Sequence, residues 1–209
     1  LPVGKGFPSP EGVDLTEGSA NITYKIKDNL NLSQGTVEFW VKFPNDMQTD
    51  AKKKPFLTLF EVYGGPANEA ARNRFNLCKE EHNTVLRATA RDGAHYSGLG
   101  SKGDIRHWKA NEWHHVALTW QSAAPANMTL YLDGKIAGSD KSYFVLANPP
   151  DFFRLGRPWW GANLEGFVDE LAVYDAPLTP REIAADYEWM LAGNELPRAS
   201  EGASAPTPV

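Results

Sequence analysis

Apolar and polar residues alternate along most of this chain in short segments. Ile22, Tyr24 and Ile26 alternate with polar residues, and Val37 and Phe39 begin the apolar face of a second segment. A period of two is typical of β-strands with one buried face. We predict strands over residues 19–28, 35–42, 56–63, 74–78, 84–91, 113–121, 128–132, 152–155 and 166–174. Because no helical segments alternate with these strands, the pattern predicts an antiparallel sandwich or barrel.

One segment near the C-terminus has the pattern of a helix. Thr179 and Pro180 are followed by Glu182, three residues after the threonine. A threonine cap, a proline in the first turn and a glutamate at this spacing mark the start of a helix. We predict a helix over residues 180–191 that packs back on the strands, and a short second helix over residues 66–72.

Charge and composition exclude several classes of protein. The 209 residues contain 21 Lys and Arg against 26 Asp and Glu, which gives a formal net charge of −5. Binding to nucleic acid irrespective of sequence needs a basic surface, so we expect no nucleic-acid partner. No apolar run approaches the roughly 18 residues of a membrane span, so we expect no membrane insertion. The single cysteine, Cys78, cannot form an internal disulfide, and we predict a buried thiol.

The last part of the sequence differs in character from the rest. After Gly193 the residues are small, polar and rich in proline, as in a linker between domains. We therefore divide the chain into one β-sandwich domain over residues 1–193 and a linker or tail over residues 194–209. No signal peptide is recognisable at Leu1, so we expect a mature chain or a segment of a longer protein with other domains.

Four segments carry motifs in a fixed order. They are LSQGTVEFWVK (32–42), WHHVALTW followed by LYLDG (113–134), LGR followed by GFVDELAVY (155–174), and LTPREI (178–183). Asp133-Gly134 marks a tight hairpin turn, because glycine accepts a positive φ. In this order the motifs resemble concanavalin A-like, laminin-G-like jelly-roll domains of the bacterial type, over residues 12–191. The resemblance implies an all-β sandwich of two antiparallel sheets with one short C-terminal helix.

The same resemblance implies more than one function, since one fold supports unrelated tasks. Members bind glycans, bind proteins or serve as spacers in secreted and cell-surface proteins, and some relatives are glycosidases or lyases. We predict a non-catalytic extracellular recognition module, secreted or at the cell surface, that binds a polysaccharide or another glycan. A protein-binding or structural adhesion domain is the first alternative. A glycan-active hydrolase or lyase is the second.

Catalytic motifs give little support to the enzyme alternative, and we name no catalytic residue. Glucanases of this fold usually carry Glu-x-Asp-x-x-Glu on one strand, and that spacing is absent here. A pair of carboxylates drawn from different strands stays open as a hydrolase site. A lyase would need a base beside an arginine, and Arg91, His95 and Tyr96 could supply both.

The resemblance also implies a structural calcium ion. Many laminin-G-like domains hold calcium between the first and last strands, and the matching positions here are Glu17 and Asp169. By strand period, Asp169 shares a face with Phe167, Leu171 and Val173, so its carboxylate needs a metal or hydrogen-bond donors. Backbone carbonyls and water would complete the oxygen shell. The alternative is that Asp169 accepts hydrogen bonds from the backbone or from a hydroxyl group.

A loop between two predicted strands is the first candidate for ligand binding. It contains Trp159 and Trp160, with Arg157 and Asn163 beside them. Aromatic rings stack on the C–H faces of sugars, while arginine and asparagine hydrogen-bond hydroxyl or acidic groups. We predict that one of the two tryptophans stacks on a sugar. The alternative is that at least one of the two packs on the sheet as part of the loop.

A basic segment is the second candidate for ligand binding. Between residues 87 and 109 it contains Arg87, Arg91, Lys102, Arg106 and Lys109, with His95, Tyr96, His107 and Trp108 interleaved. We predict that Arg91, His95 and Tyr96, at a glycine-rich loop over residues 92–104, favour an acidic polysaccharide. The alternative is that these charges serve solubility alone.

Overall fold

The strands follow the predicted alternation closely. A computed structural model describes residues 12–17, 21–50, 57–63, 73–80, 83–93, 95–99, 103–143, 145–146, 151–156 and 164–193, and the account below concerns these residues. The strands are β1 (Val13–Asp14), β2 (Ile22–Lys25), β3 (Gln34–Lys42), β4 (Leu57–Tyr63), β5 (Asn73–Lys79), β6 (Val85–Asp92), β7 (His95–Gly98), β8 (Gly103–Asp104), β9 (Trp113–Gln121), β10 (Asn127–Leu132), β11 (Lys135–Asp140), β12 (Phe152–Leu155) and β13 (Phe167–Tyr174). The helices are α1 (Met47–Asp50) and α2 (Pro180–Leu191).

Antiparallel pairing assembles these strands into two sheets. One sheet has the order β1-β13-β3-β9-β10-β11, and the other has the order β2-β12-β4-β5-β6-β7 with β8 paired to β6. The tight turn between β10 and β11 holds Asp133 at φ 48° and Gly134 at φ 72°, as the sequence predicts. The predicted two-sheet sandwich is confirmed. Within the described ranges, neither helix is long and apolar enough to cross a membrane.

The core lies between the inward faces of the two sheets. Phe75 of β5 packs against Trp120 of β9 with ring centroids 5.1 Å apart, and against Phe60 of β4 at 5.8 Å. The Trp120 indole donates a hydrogen bond of 3.0 Å to the Asn31 carbonyl, which satisfies its polar atom inside the core. Removing a buried phenylalanine ring from such a core typically costs about 3–5 kcal/mol. Contacts of this kind join the two sheets.

Helix α2 covers the outward face of the six-stranded sheet, and its predicted bounds and cap are confirmed. The Thr179 hydroxyl accepts from the Glu182 amide at 3.3 Å, and the Glu182 carboxylate accepts from the Thr179 amide at 2.7 Å. The Tyr187 ring stacks on Trp40 with centroids 5.6 Å apart, and the Trp40 indole donates to the Met190 sulfur at 3.3 Å. We call this outward face, together with α2, the helix face.

A β-bulge in the last strand corrects one prediction. Val168 pairs with Val41 and Asp169 pairs with Trp40, but the register then shifts before Ala172 pairs with Glu38. Val168 lies in the core, and beyond the bulge Leu171 and Val173 also pack against the core. An extra residue reverses the alternation. The prediction that Asp169 shares the apolar face of Leu171 and Val173 is therefore wrong, because Asp169 lies on the outward side.

The segment that follows β6 also differs from the prediction. Residues 92–104 were expected to form a loop, yet they contain β7 and β8, which both pair with β6. Short strands with few apolar residues give little alternation, and this explains why the pattern missed them. The predicted helix over residues 66–72 lies outside the described residues.

Candidate functional site

The outward face of the seven-stranded sheet carries several arginines. In β5, Phe75 and Leu77 point into the core, so Arg74 and Asn76 point outward. The same alternation turns the other members of the set outward. We call this surface the arginine face, and its arginines are Arg74 of β5, Arg87 and Arg91 of β6, and Arg154 of β12.

Strand register arranges these side chains in rows across the sheet. One row runs from Arg154 through Glu61, Asn76 and Thr89, each the register partner of the next. The neighbouring row runs from Arg74 through Arg91 to Tyr96. Neighbouring strands lie about 4.8 Å apart, so residues distant in sequence become neighbours on this face.

The electrostatics of the arginine face are unfavourable for Arg74. Burial lowers the pKa of its guanidinium and the nearby Cys78 opposes that effect. The positive charges of Arg91 and Arg87 lower the pKa further, and Glu61 raises it by less than either of them lowers it. Arg87 is better placed, because its Nη1 lies 3.3 Å from the Glu80 carboxylate. Burial also raises the pKa of the Cys78 thiol to about 11, which leaves it protonated and inert.

On the arginine face, Arg74, Arg87 and Asn76 each have a buried polar atom with no hydrogen-bond partner within the described part of the chain. The three atoms are Arg74 Nε, Arg87 Nε and Asn76 Oδ1. Buried polar atoms in folded proteins are nearly always paired, so each exception needs an explanation. Two of the three are donors and one is an acceptor. Oxygen acceptors and hydroxyl donors are the groups that these atoms lack.

Tyr96 forms an aromatic surface at the β7 edge of the arginine face. Its residue surface is 48% exposed, and the Arg87 guanidinium lies 5.3 Å from its ring centroid. A Cβ atom built on Gly98 would come within 2.5 Å of the Tyr96 hydroxyl, so the ring lies directly over the glycine. The absence of a side chain at Gly98 therefore lets the tyrosine lie along the sheet.

The structure brings some of the predicted ligand-binding residues together and leaves others apart. Arg91 and Tyr96 are register partners, while the exposed His95 is paired with Asp92 and points to the other side of β7. Trp159, Trp160, Arg157 and Asn163 lie outside the described residues, as does Lys102. The other two predicted cations form surface ion pairs, Arg106 with Asp104 at 2.6 Å and Lys109 with Asp46 at 3.2 Å.

The predicted calcium ligands are not brought together. Val13 pairs with Val168, so the antiparallel register places Asp169 opposite Gly12, the residue before Val13. Glu17 lies in the other direction along the chain, three residues after β1 ends at Asp14. This register separates Glu17 from Asp169 by about five residues, or ~16 Å at ~3.3 Å per residue. The Asp169 carboxylate accepts a hydrogen bond of 2.9 Å from the Glu170 amide. Within the described ranges, no group of three or more His, Cys, Asp or Glu side chains is arranged to hold a metal ion, and calcium binding stays a prediction.

A second polar cluster lies on the helix face, where sequence reasoning had assigned no role to His115. Glu38 is fully buried, accepts a hydrogen bond of 2.8 Å from the Tyr174 hydroxyl, and lies 3.2 Å from His115 Nε2. Asp186 of α2 is close enough for Glu38 to raise its pKa. Carboxylate, imidazole and phenol are the groups of acid–base catalysis, but this set is enclosed beneath α2 and out of reach of a substrate.

A groove beside the start of α2 is also lined by polar residues. Its volume is about 300 Å³. The described residues that line it have neutral side chains: Thr119, Gln121, Asn127, Thr129, Tyr131, Ile136, Ser139, Pro177, Leu178, Thr179 and Pro180. The two outward surfaces therefore differ in charge, since the arginine face is cationic and this groove is neutral.

Comparison with solved structures finds similar folds at low sequence identity. Domain 4 of AbnA, a GH43 extracellular arabinanase from Geobacillus stearothermophilus solved with arabinotriose, is 20% identical, with a TM-score of 0.54 over 73% of this chain and 66% of that one. The CBM40 of Ruminococcus gnavus IT-sialidase, bound to α2,6-sialyllactose, is 16% identical, with a TM-score of 0.58 over 84% of this chain and 95% of that one. The receptor-binding domain of botulinum neurotoxin D is 16% identical, with a TM-score of 0.60 over 83% of this chain and 42% of that one.

Comparisons of sequence give one family and no individual relative. A search of curated protein sequences yields no significant match. Likeness at these identities establishes the fold alone, and function has to be argued from the site. A family of known domains, however, matches residues 16–184. With most of the chain matched and both sheets in place, this protein belongs to the concanavalin A-like lectin/glucanases superfamily, in its Laminin_G_3 family.

Proposed function

We propose that this protein is a non-catalytic carbohydrate-binding module and that its site is the arginine face, with Tyr96 at the edge. The observation that carries the proposal is the exposed Tyr96 ring beside buried polar atoms that have no partner among the described residues. A sugar ring offers an apolar C–H face to an aromatic side chain and hydroxyl groups to the polar atoms next to it.

Two of the similar structures support a carbohydrate ligand. One was solved with arabinotriose and the other with sialyllactose. Similar toxin domains bind receptors, and this supports recognition at an exposed surface in more general terms. Because such modules act on extracellular glycans, we extend the proposal to a secreted or cell-surface location within a larger multidomain protein.

The first test is the substitution Tyr96→Ala, measured by affinity electrophoresis against neutral and acidic polysaccharides. We expect the affinity for the polymer that retards the native protein to fall about tenfold or more, equivalent to ~1.4 kcal/mol of binding free energy. The matched control is Trp189→Ala, because Trp189 of α2 is 52% exposed and lies on the opposite side of the sandwich. We expect this control to bind like the native protein.

Gly98→Ala provides a second test that leaves the tyrosine in place. The added methyl group would displace the exposed Tyr96 ring, which can swing into solvent at little cost in stability. We expect weaker glycan binding with an unchanged melting temperature. Binding that survives both substitutions would contradict the proposed site and direct attention to the neutral groove. If no polysaccharide retards the folded protein, the carbohydrate proposal fails and the protein-binding alternative replaces it.

A further inference from the structure

The arginine face concentrates positive charge on a protein that is acidic as a whole. The chain carries a net charge of −5, yet four arginines from three strands point outward on this one surface. The nearest acidic side chains on the same face are Glu61, in the row of Arg154, and Glu80, which pairs with Arg87. The charge of the face is therefore opposite in sign to that of the chain.

Arg74 is the arginine whose position the fold does not explain. Its Nε is buried and has no hydrogen-bond partner among the described residues. Arg91 and Arg87 lie close enough to destabilise its charge, whereas Arg87 has Glu80 and Arg91 donates to the Gly93 carbonyl at 3.4 Å. Keeping a half-buried cation in this setting costs free energy unless an anion accompanies it.

We infer that the arginine face binds an acidic sugar and that Arg74 holds the carboxylate of that sugar, with Arg91 opposite it and Arg87 further along the same neighbouring strand, β6. This inference rests on the proposed function, because it names the substrate class of the same site. A guanidinium group presents two parallel N–H donors that match the two oxygens of a carboxylate. The anion would supply the acceptor that Arg74 Nε lacks.

The neighbouring atoms favour a sugar over other anions. Asn76 Oδ1 is a buried acceptor without a partner in the described ranges, and it lies in the row beside Arg74. It needs a donor, which the hydroxyl groups of a sugar provide and a phosphodiester does not. The Tyr96 ring in the row of Arg74 adds a surface for the sugar ring. A chain of net charge −5 is also poorly suited to general binding of nucleic acid.

The test compares acidic polymers with uncharged ones in affinity electrophoresis. The acidic set is polygalacturonate, alginate, hyaluronan and polysialic acid, and the neutral set is arabinan, β-glucan and fully methyl-esterified polygalacturonate. We expect at least one acidic polymer to bind tenfold or more tightly than any neutral polymer. If polygalacturonate is that polymer, its methyl ester, which has the same backbone without the charge, should not bind.

Substitutions then assign the carboxylate contact to Arg74. Arg74→Gln should weaken binding of the acidic polymer at least tenfold, and Arg74→Lys should restore only part of it because lysine lacks the two parallel donors. Arg181→Gln is the matched control, since it removes the same charge from an exposed position on α2. It should change affinity less than twofold. Circular dichroism and melting temperature verify that each variant is folded.

The outcomes separate this inference from the proposed function. Binding of a neutral polymer that Tyr96→Ala abolishes, with no preference for acidic polymers, overturns the inference and leaves the carbohydrate module standing. Equal losses in Arg74→Gln and Arg181→Gln also overturn it, because they would show a general effect of charge. Failure to bind any polymer overturns both proposals.

Discussion

The helix face and the arginine face both bury polar side chains, but they satisfy them differently. On the helix face, both oxygens of Glu38 are engaged, by the Tyr174 hydroxyl at 2.8 Å and by His115 at 3.2 Å. On the arginine face, Arg74 Nε and Asn76 Oδ1 are buried without partners in the described part of the chain. A satisfied buried network contributes to the structure, whereas unsatisfied atoms near solvent indicate a place for a ligand.

Exposure decides the role of the polar cluster on each face. Among the described residues His115 Nδ1 also lacks a hydrogen-bond partner, but the His115 ring is completely buried under α2, so no ligand can reach it. On the arginine face, the Arg87 side chain is 32% exposed and Tyr96 is 48% exposed. The comparison shows that an unsatisfied buried atom suggests binding only where the side chains around it are open to solvent.

The largest expected change in stability comes from removing the Glu38 carboxylate on the helix face, and it tests whether the buried polar groups there support the fold. Glu38→Ala leaves a buried histidine and a buried tyrosine hydroxyl without their partner, so we expect the free energy of unfolding to fall by about 3–5 kcal/mol. Urea unfolding followed by tryptophan fluorescence measures this loss.

A carboxylate from the other face is the matched control for that measurement. Glu80→Ala removes the acceptor of the partly exposed Arg87 and of the Asn83 amide, and we expect a smaller cost of about 1–2 kcal/mol because Arg87 keeps contact with solvent. Similar losses in the two variants would break the distinction between a structural face and a binding face.

The substitution Arg74→Gln on the arginine face is expected to stabilise the protein, by an amount smaller than the loss in Glu38→Ala. Removing a half-buried cation that has positive neighbours should raise the free energy of unfolding by about 1 kcal/mol, while binding of the acidic polymer weakens at least tenfold. For a chain of this size, that gain raises the melting temperature by about 2–4 °C. Differential scanning calorimetry would detect it, with Arg181→Gln expected to leave the melting temperature unchanged. A clear loss of stability would mean that Arg74 serves the fold.

The smallest effect concerns pH and the helix face. Burial, followed by repulsion from Glu38, raises the pKa of Asp186 from 3.8 to about 6, while His115 opposes the shift and Glu182 adds to it. Between these two pH values the folded chain binds more protons than the unfolded chain, so the contribution of Asp186 to stability decreases as pH rises through this window. Asp186→Asn should therefore stabilise the protein at pH 7.5 and have no effect near pH 3.

Because Asp186 is partly exposed, screening by solvent limits that gain to less than about 1 kcal/mol. Urea unfolding of the native protein and Asp186→Asn at the two pH values gives the difference directly. A gain of equal size at both pH values would show that the carboxylate charge is not its cause.

Much of the fold could be predicted from the sequence because alternation and capping are local properties. The cap formed by Thr179 and Glu182 and the turn at Asp133-Gly134 depend only on neighbouring residues. The bulge in β13 could not be predicted in this way. Its extra residue is set by pairing with β3, and nothing in the local sequence marks where the alternation reverses.

Only part of the candidate site could be predicted, because its residues come from strands that are neighbours in the sheet but distant in the sequence. Arg91 and Tyr96 are close in sequence, and the interleaving of basic and aromatic residues pointed to them. Arg74 and Arg154 reach the same surface because β12, β4, β5 and β6 are neighbours in the sheet, which a single sequence does not reveal. Alternation places Arg74 on an outward face, but it does not tell which of the two outward faces α2 covers.

The strand order also fixes the length of ligand that the arginine face can contact. From Arg154 on β12 to Tyr96 on β7 there are four strand spacings, with β4, β5 and β6 between them. At ~4.8 Å per spacing, this distance is about 19 Å, longer than a single sugar ring. A monosaccharide would contact only a fraction of the surface, whereas an oligosaccharide lying across the strands could reach both ends. A module of this geometry responds to chain length as well as to charge, and its affinity rises as sugar units are added until the span is filled.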